Sequence, residues 1–335
     1  MKSLDQVEPR STITNLPFFI SQPGAYYATT NLVGSSGITI ASGGVTVDLM
    51  GFEMVGGSGN GFYVSLPVTN VTIRNGSIRN WLGTAVSVGN ARNCRLEQLA
   101  VTGNTDGISA GPGSIVEDCL VSANGASGID VQDGCNVRNC VSRLNWFGIN
   151  TGKDCVITGC NVSSNQTYGI STDTGCLIQS CDVNRNAQRG INSGNGATIL
   201  GCNVRGNGSD GISAGNSSLV AGCLISQNAS NGVAIFNYST ARDNNSSENG
   251  GAGILAFSQR NRVEGNHVAL NKRGIEVTTS SLNLIIRNSA SGNPSTGSIG
   301  SSNYVFIGAV FGPTNNLVGI GGVVTNENPW ANFSY

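Results

Sequence analysis

A glycine followed by a branched apolar residue recurs along most of this chain every 20 or 21 residues. The regular copies are Gly107-Ile108, Gly128-Ile129, Gly148-Ile149, Gly169-Ile170, Gly190-Ile191, Gly211-Ile212, Gly232-Val233, Gly253-Ile254 and Gly274-Ile275, and looser copies stand at Gly37-Ile38, Gly61-Phe62 and Ala85-Val86. A fixed period of this length is typical of solenoids, in which each repeat forms one coil and contacts only its neighbours. The pattern predicts about twelve coils across residues 37–294.

Asparagine and cysteine recur in phase with this motif. One column holds Asn104, Asn124, Asn145, Asn165, Asn186, Asn207, Asn228, Asn249 and Asn271. A second column, five residues earlier in each repeat, holds Cys119, Cys140, Cys160, Cys181, Cys202, Cys223, Asn244 and Asn266. Because such a repeat is too short for a strand and a packed helix, we expect three short strands per coil, stacked into three parallel sheets. The inward asparagines are expected to hydrogen-bond along the stack, and the cysteines to fill the core.

The composition and the cysteine spacing argue against several classes of function. The chain has 18 Lys and Arg residues against 19 Asp and Glu. It shows no basic face of the kind that binds nucleic acid. No apolar run approaches the length of about 18 residues that a membrane span needs. The ten cysteines include no close Cys-x-x-Cys pair, only one histidine is present, and no dense acidic cluster suits calcium. The sequence therefore predicts no metal and no cofactor. It also predicts buried, reduced cysteines, with disulfides between adjacent coils as the open alternative.

The periodic Gly-Ile…Cys/Asn-x-Val-x-x-Asn pattern resembles the right-handed parallel β-helix (PbH1) repeats of the pectate-lyase-like superfamily. The segments 3–10, 37–40 and 45–49 resemble the start of secreted bacterial members of unknown function, and the segment 328–333 resembles their tail. The resemblance implies an all-β fold, a right-handed parallel β-helix (solenoid) of about twelve 21-residue coils. It also implies an extracellular or cell-surface location, a leader having been removed. Because the superfamily includes lyases, hydrolases, epimerases and phage tailspikes, the resemblance does not imply one reaction.

The period fails at both ends of the chain. Residues 1–36 are interpreted as an N-terminal cap, since the end coil of a solenoid exposes apolar side chains and strand edges. Residues 295–335 are interpreted as an aromatic C-terminal capping tail, with a homo-oligomer contact as the alternative. The aromatic residues of this tail are Tyr304, Phe306, Phe311, Trp330, Phe333 and Tyr335. With the β-helix at 37–294, the whole chain is predicted to be one structural domain.

Outward positions around the Gly-Ile strands of the middle coils carry the candidate site. Saccharides are bound by aromatic faces and by planar polar groups, and both kinds of side chain occur here in successive coils. The candidate substrate-binding residues are Trp146, Phe147, Asn150 and Gln132. The candidate catalytic residues are Tyr168, Arg189, Asp130, Asp173 and Asp210. They predict a strip that binds a polysaccharide or cell-surface glycan, with ordinary surface variation as the alternative.

The sequence leaves hydrolase, lyase and non-catalytic roles open. A hydrolase would use two of the three aspartates, which the repeat separates by about two coils, or roughly 9–10 Å. A lyase would use Tyr168 or Arg189 as its base. The tandem-Asp, Gly-His-Gly and Arg-x-Lys motifs of polygalacturonase-like hydrolases and the Asp-Pro-His motif of mannuronan epimerases are absent. The alternative function is a non-catalytic structural or adhesive solenoid that assembles through its aromatic tail.

Overall fold

The fold is described from a computed structural model, which describes residues 10–278, 282–293, 303–306, 317–319 and 331–334. Every described element is a β-strand, and the chain divides into two compact units, residues 1–165 and 166–335. The aromatic positions Phe311, Trp330 and Tyr335 of the predicted tail lie outside the described residues.

The strands of unit 1 are β1 (Arg10–Ile13), β2 (Phe18–Ile20), β3 (Gly24–Ala28), β4 (Leu32–Val33), β5 (Ile38–Ile40), β6 (Val45–Asp48), β7 (Glu53–Val55), β8 (Phe62–Val64), β9 (Val71–Arg79), β10 (Thr84–Val88), β11 (Arg95–Thr102), β12 (Asp106–Ala110), β13 (Ile115–Glu117), β14 (Leu120–Ser122), β15 (Ser127–Val131), β16 (Asn136–Arg138), β17 (Val141–Arg143), β18 (Phe147–Thr151), β19 (Val156–Thr158) and β20 (Asn161–Ser163). The strands of unit 2 are β21 (Ile170–Thr172), β22 (Leu177–Gln179), β23 (Asp182–Asn184), β24 (Ile191–Ser193), β25 (Thr198–Leu200), β26 (Asn203–Arg205), β27 (Ile212–Ala214), β28 (Leu219–Ala221), β29 (Leu224–Ser226), β30 (Val233–Ile235), β31 (Thr240–Arg242), β32 (Asn245–Ser247), β33 (Ala252–Ala256), β34 (Arg262–Glu264), β35 (His267–Ala269), β36 (Arg273–Val277), β37 (Leu284–Ile286), β38 (Ser289–Ser291), β39 (Tyr304–Phe306), β40 (Leu317–Gly319) and β41 (Asn332–Ser334).

Three parallel ladders run through unit 1. The Gly-Ile ladder joins β2, β5, β8, β10, β12, β15 and β18 in that order. The second ladder joins β1, β3, β6, β9, β11, β13, β16 and β19. The third joins β4, β7, β9, β11, β14, β17 and β20. β9 and β11 belong to both because each bends at a residue with positive φ, Asn75 at 58° and Gln98 at 54°.

Unit 2 repeats this arrangement. Its Gly-Ile ladder joins β21, β24, β27, β30, β33, β36 and β39. The second ladder joins β22, β25, β28, β31, β34 and β37. The third joins β23, β26, β29, β32, β35, β38 and β41, with β40 beside β41. Twelve of the fourteen described Gly-Ile strands lie within residues 37–294, which confirms the predicted number of coils; the other two are β2 and β39.

The corners of the coils combine a positive φ with a buried polar side chain. In unit 2, Asn228 follows Gln227 (φ 57°) and Asn249 follows Glu248 (φ 56°). Residues other than glycine are disfavoured in this conformation. The energetic cost of the positive φ is offset by the next residue, whose buried side-chain amide forms hydrogen bonds at the corner. Asn228, for example, donates to Val204 O and to Asn249 Oδ1. The predicted asparagine ladder is confirmed.

The core is built from the inward residues of each short strand. Ile191 pairs with Ile170 on one side and Ile212 on the other, and all three side chains are buried. The glycine of the motif is required by space, since a Cβ at Gly211 would lie 2.7 Å from Asn228 Nδ2. All ten cysteines are buried, as predicted, and none is in a disulfide. Burial raises the pKa of the Cys94 thiol.

The described parts of both predicted caps join the ladders. β1 pairs with β3 and β2 with β5, and at the other end Tyr304 donates its hydroxyl to Asn288 O at 2.9 Å and to Phe333 O at 3.1 Å. The division into a cap at 1–36, a β-helix and a tail at 295–335 within one domain stays a prediction, as does assembly through the tail. The described part of the chain contains no helix with the length and hydropathy of a membrane span.

Candidate functional site

The candidate residues fall into two groups because Asn165 ends unit 1 and Gln166 begins unit 2. In unit 1, Asp130 of β15 is directly opposite Asn150 of β18, and the Asn150 amide donates to Asp130 Oδ1 at 2.7 Å. Both side chains are half-buried. The structure therefore brings these two candidates together as one polar pair on the outward face of the Gly-Ile ladder.

The remaining candidates of unit 1 lie at the two edges of the same ladder. Gln132 is exposed and donates its side-chain amide to Gly89 O at 3.2 Å. At the other edge, Trp146 is 46% exposed and Phe147 is half-buried opposite Ser127. The aromatic pair at the start of β18 and the amide just after β15 thus lie at opposite edges of the ladder, on neighbouring strands.

In unit 2, Tyr168, Arg189 and Asp210 stand just before three successive Gly-Ile strands, as predicted. Arg189 donates to Asn192 Oδ1 at 2.8 Å, and its Nε lies 3.4 Å from Asp210 Oδ2. Asp210 is only 7% exposed, and its Oδ1 accepts hydrogen bonds from the backbone and side-chain amides of Asn231. A carboxylate held this way is suited to orienting the Arg189 guanidinium.

Asp173 lies at the opposite edge of this ladder, just after β21. It is exposed, and its Oδ1 accepts from Thr174 N at 2.7 Å. The register of β21, β24 and β27 aligns Asp173 with Gly215, which is five residues beyond Asp210, or about 16 Å of extended chain. Asp173 and Asp210 are therefore too far apart to act as the two carboxyl groups of a glycosidase, which need roughly 5–9.5 Å. The sequence estimate counted coils and omitted this offset across the strand.

A row of amides beside Asp173 went unnoticed in the sequence. Asn216 N donates to Asn195 Oδ1 at 2.9 Å, and Asn237 Nδ2 donates to Asn216 Oδ1 at 3.0 Å. These three residues stand 21 positions apart, so the period itself could have revealed them. The row lies at the solvent-facing end of the Gly-Ile strands, unlike the buried ladder of Asn228.

Buried carboxylates on the second ladder were also missed. In unit 1, Glu117 is 7% exposed and forms salt bridges with Arg95 and with Arg138, whose Nε lies 2.6 Å from Glu117 Oε2. Each partner comes from a neighbouring coil, so the cluster joins three coils. Because one carboxylate faces two guanidinium groups, the arrangement compensates the burial of charge.

Unit 2 contains an equivalent cluster. Glu264, 8% exposed, forms salt bridges with Arg262 and Arg287 beside a cavity of about 270 Å³ that Arg242 and Asp243 also line. Arg242 Nη1 lies 3.0 Å from Asp243 Oδ2, so the charged groups here are matched to one another. Among the described residues, no group of three His, Cys, Asp or Glu side chains is arranged to hold a metal ion.

Solved structures with a similar fold match most of the chain. The A-module of mannuronan C-5 epimerase AlgE6 from Azotobacter vinelandii is 17% identical, with a TM-score of 0.51 over 87% of this chain and 92% of that one. A double mutant of the periplasmic alginate epimerase AlgG is 14% identical, with a TM-score of 0.52 over 85% of this chain and 76% of that one. At these identities the likeness establishes the fold. No curated protein sequence matches the chain.

One family model matches most of the chain. It describes a right-handed β-helix region and matches residues 26–152 and 145–291. These ranges cover most of the described coils of both units, and they agree with the parallel ladders and the period of about 21 residues. The chain belongs to the right-handed β-helix family.

Proposed function

We propose that this protein binds an acidic polysaccharide on the outward face of the Gly-Ile ladder of unit 2. The observation that carries the proposal is the fixed guanidinium of Arg189, held by the buried Asp210 and by Asn192 beside Tyr168. A planar guanidinium suits a carboxylate ligand, and a neighbouring aromatic ring suits the C–H face of a sugar. The similar structures named for mannuronan and alginate support this class of ligand.

For unit 1, we propose that the candidate group also binds polysaccharide. Trp146 presents an exposed aromatic face, and the pair Asp130 and Asn150 presents hydrogen-bonding groups for hydroxyls. Within that group we propose Trp146, Phe147, Asn150 and Gln132 as substrate contacts. For catalysis, Tyr168 or Arg189 would serve a lyase as base, and Asp130, Asp173 and Asp210 remain the proposed carboxylates of a hydrolase, with Asp173 and Asp210 not acting as one pair.

The test combines a binding panel with an assay for cleavage. The protein is incubated with neutral and acidic polysaccharides, and affinity electrophoresis, new reducing ends and unsaturated-uronate absorbance are measured. We expect retention by acidic chains, and loss of at least about tenfold in affinity for Arg189→Gln. The matched control is Arg205→Gln, because Arg205 is an exposed arginine on the third ladder of the same unit.

Each outcome has a defined meaning. Reducing ends alone indicate a hydrolase, whereas reducing ends with unsaturated products indicate a lyase that uses Tyr168 or Arg189. Binding without products indicates a non-catalytic role. Equal affinity of Arg189→Gln and Arg205→Gln would place the acidic ligand elsewhere. No retention by any polysaccharide would overturn the proposal and favour the structural or adhesive alternative.

We also propose that the protein acts outside the cytoplasm, at the cell surface or beyond it, where a polysaccharide ligand would be met. One of the similar structures is described as periplasmic. Fractionation of the source cells, followed by mass spectrometry of each fraction, tests this location. Recovery only from the cytoplasmic fraction would contradict it.

A further inference from the structure

Unit 2 carries an aromatic surface that the proposed site does not use. Phe236 and Phe257 follow consecutive Gly-Ile strands, and their ring centroids are 5.4 Å apart with an interplanar angle of 54°. Phe257 is 49% exposed and Phe236 is half-buried. Both stand in the column that begins with Asp173, at the edge of the ladder opposite Arg189.

Glycines precede Phe236 in this column. Gly194 and Gly215 occupy the two preceding positions of the column. A Cβ at Gly215 would lie 2.7 Å from the carbonyl carbon and oxygen of Gly194, so the close approach of two backbones excludes a side chain here. Between Asp173 and Phe236 the column therefore carries no side chain of its own.

Planar polar groups border the rings on the other side. Asn237 follows Phe236 and continues the amide row through Asn216, while Gln259 N donates to Asn237 Oδ1 at 3.3 Å. Each side-chain amide carries two donors and an acceptor, more than its contacts within the row require. The row therefore presents groups that can bond to hydroxyls along the same line as the rings.

A cation–π pair lies next to these amides, since Tyr238 follows Asn237 in the chain. The Arg260 guanidinium lies 5.6 Å from the centroid of the Tyr238 ring, and its Nη1 donates to Tyr238 Oη at 3.1 Å. Tyr238 has a φ of 60° and Arg260 a φ of 58°, at a corner where the preceding coils of unit 2 have Gly175, Gly196 and Ser217. Bulky residues are unfavourable in that conformation, so the sequence retains exposed side chains here against the preference of the backbone.

We infer that Phe236, Phe257 and Tyr238, with the amides of Asn216 and Asn237, form a second glycan-binding track whose ligand is the unsubstituted face of consecutive pyranose rings. The C–H face of a sugar stacks on an aromatic ring, and equatorial hydroxyls bond to planar amides. The coil spacing of about 4.8 Å brings successive rings into reach of successive sugar units. This inference rests on the proposed function, since it names where the same polysaccharide contacts a second edge of the ladder.

The test measures binding of defined hexasaccharides, cellohexaose and a mannuronate hexamer, by titration calorimetry together with the polysaccharides that the wild type retains. We expect Phe257→Ala and Tyr238→Ala each to lower affinity about tenfold. The matched control is Phe19→Ala, because Phe19 is an exposed phenylalanine on the Gly-Ile ladder of unit 1. Phe257→Trp should preserve binding and shift its fluorescence when the ligand is added, which separates a binding role from a folding defect.

The outcomes distinguish this track from the site around Arg189. Unchanged affinity in Phe257→Ala and Tyr238→Ala, with loss in Arg189→Gln, would overturn the track and leave the proposed function intact. Loss in the aromatic variants with none in Arg189→Gln would support the track alone. A wild type that binds no glycan overturns both. Concentration-dependent self-association that disappears in Phe257→Ala would show that a second copy of the chain covers the rings, and would also overturn the track.

Discussion

The side-chain amide of Asn228 donates a hydrogen bond of 2.9 Å to the side-chain oxygen of Asn249, one coil further along the chain. The backbone N–H of Asn228 donates to the same oxygen at 3.0 Å. In turn, Asn228 Oδ1 accepts from Asn207 N and Nδ2. One buried side chain therefore satisfies polar groups in three consecutive coils, and each coil depends on the next for its corner.

Asn228→Ala is expected to lower the free energy of unfolding by about 3 kcal/mol, because it leaves several buried backbone and amide groups without partners. Urea unfolding followed by circular dichroism measures the change. Asn203→Ala is the control, since Asn203 is exposed and donates a single amide bond of 3.3 Å to Asp182. Equal stability of the two variants would contradict the role assigned to the buried ladder.

Gly211→Ala is expected to destabilise the fold by about 2 kcal/mol through overpacking. The new methyl group would lie 2.7 Å from Asn228 Nδ2 and from Gly232 O, so the ladder and the adjacent strand would have to move. Gly125→Ala is the control, because the nearest atom to its Cβ would be 3.5 Å away. Thermal unfolding of both variants tests the prediction, which fails if Gly211→Ala melts with the wild type.

Asp210→Ala is expected to weaken the acidic-polysaccharide binding proposed for Arg189 and to lower stability by about 2 kcal/mol, since Asn231 loses its acceptor. Asp210→Asn retains an oxygen for Asn231 and should restore most of the stability but not the charge that faces Arg189. Binding titrations and unfolding curves on both variants separate the two effects. Full binding by Asp210→Ala would show that Arg189 does not need this carboxylate.

Stability is expected to fall in alkaline solution in part through Cys94. Burial raises the pKa of its thiol, and hydrogen bonds from the surroundings lower it by less. A folded pKa above the unfolded value gives a contribution that is complete below the unfolded pKa of about 8.5 and is lost as pH rises towards the folded pKa. Unfolding free energies measured between pH 7 and 10 should decline less steeply for Cys94→Ala than for the wild type. Parallel slopes would rule out this thiol as a cause.

The period in the sequence was sufficient to predict the coils, the three ladders and the inward asparagines. In a stack of coils, residues 21 positions apart must meet, so the side chain at Asn228 has Asn207 and Asn249 as neighbours whatever else the chain contains. The same reasoning placed Ile191 between Ile170 and Ile212 and every cysteine in the core. It could also have revealed Asn195, Asn216 and Asn237, which keep the same spacing on the outside.

The tertiary structure alone decided how the outward groups are paired. Position in the repeat aligned Asp173 and Asp210 along the solenoid axis, but the strand register sets them at opposite edges of a ladder. Nor did the sequence indicate that Glu117 lies between Arg95 and Arg138, or that Asp210 is buried against Asn231. The repeat fixes the inward side chains because the core permits one arrangement. Outward charged side chains can pair with neighbours on either adjacent coil. Their lowest-energy pairing depends on distances that only the folded chain defines.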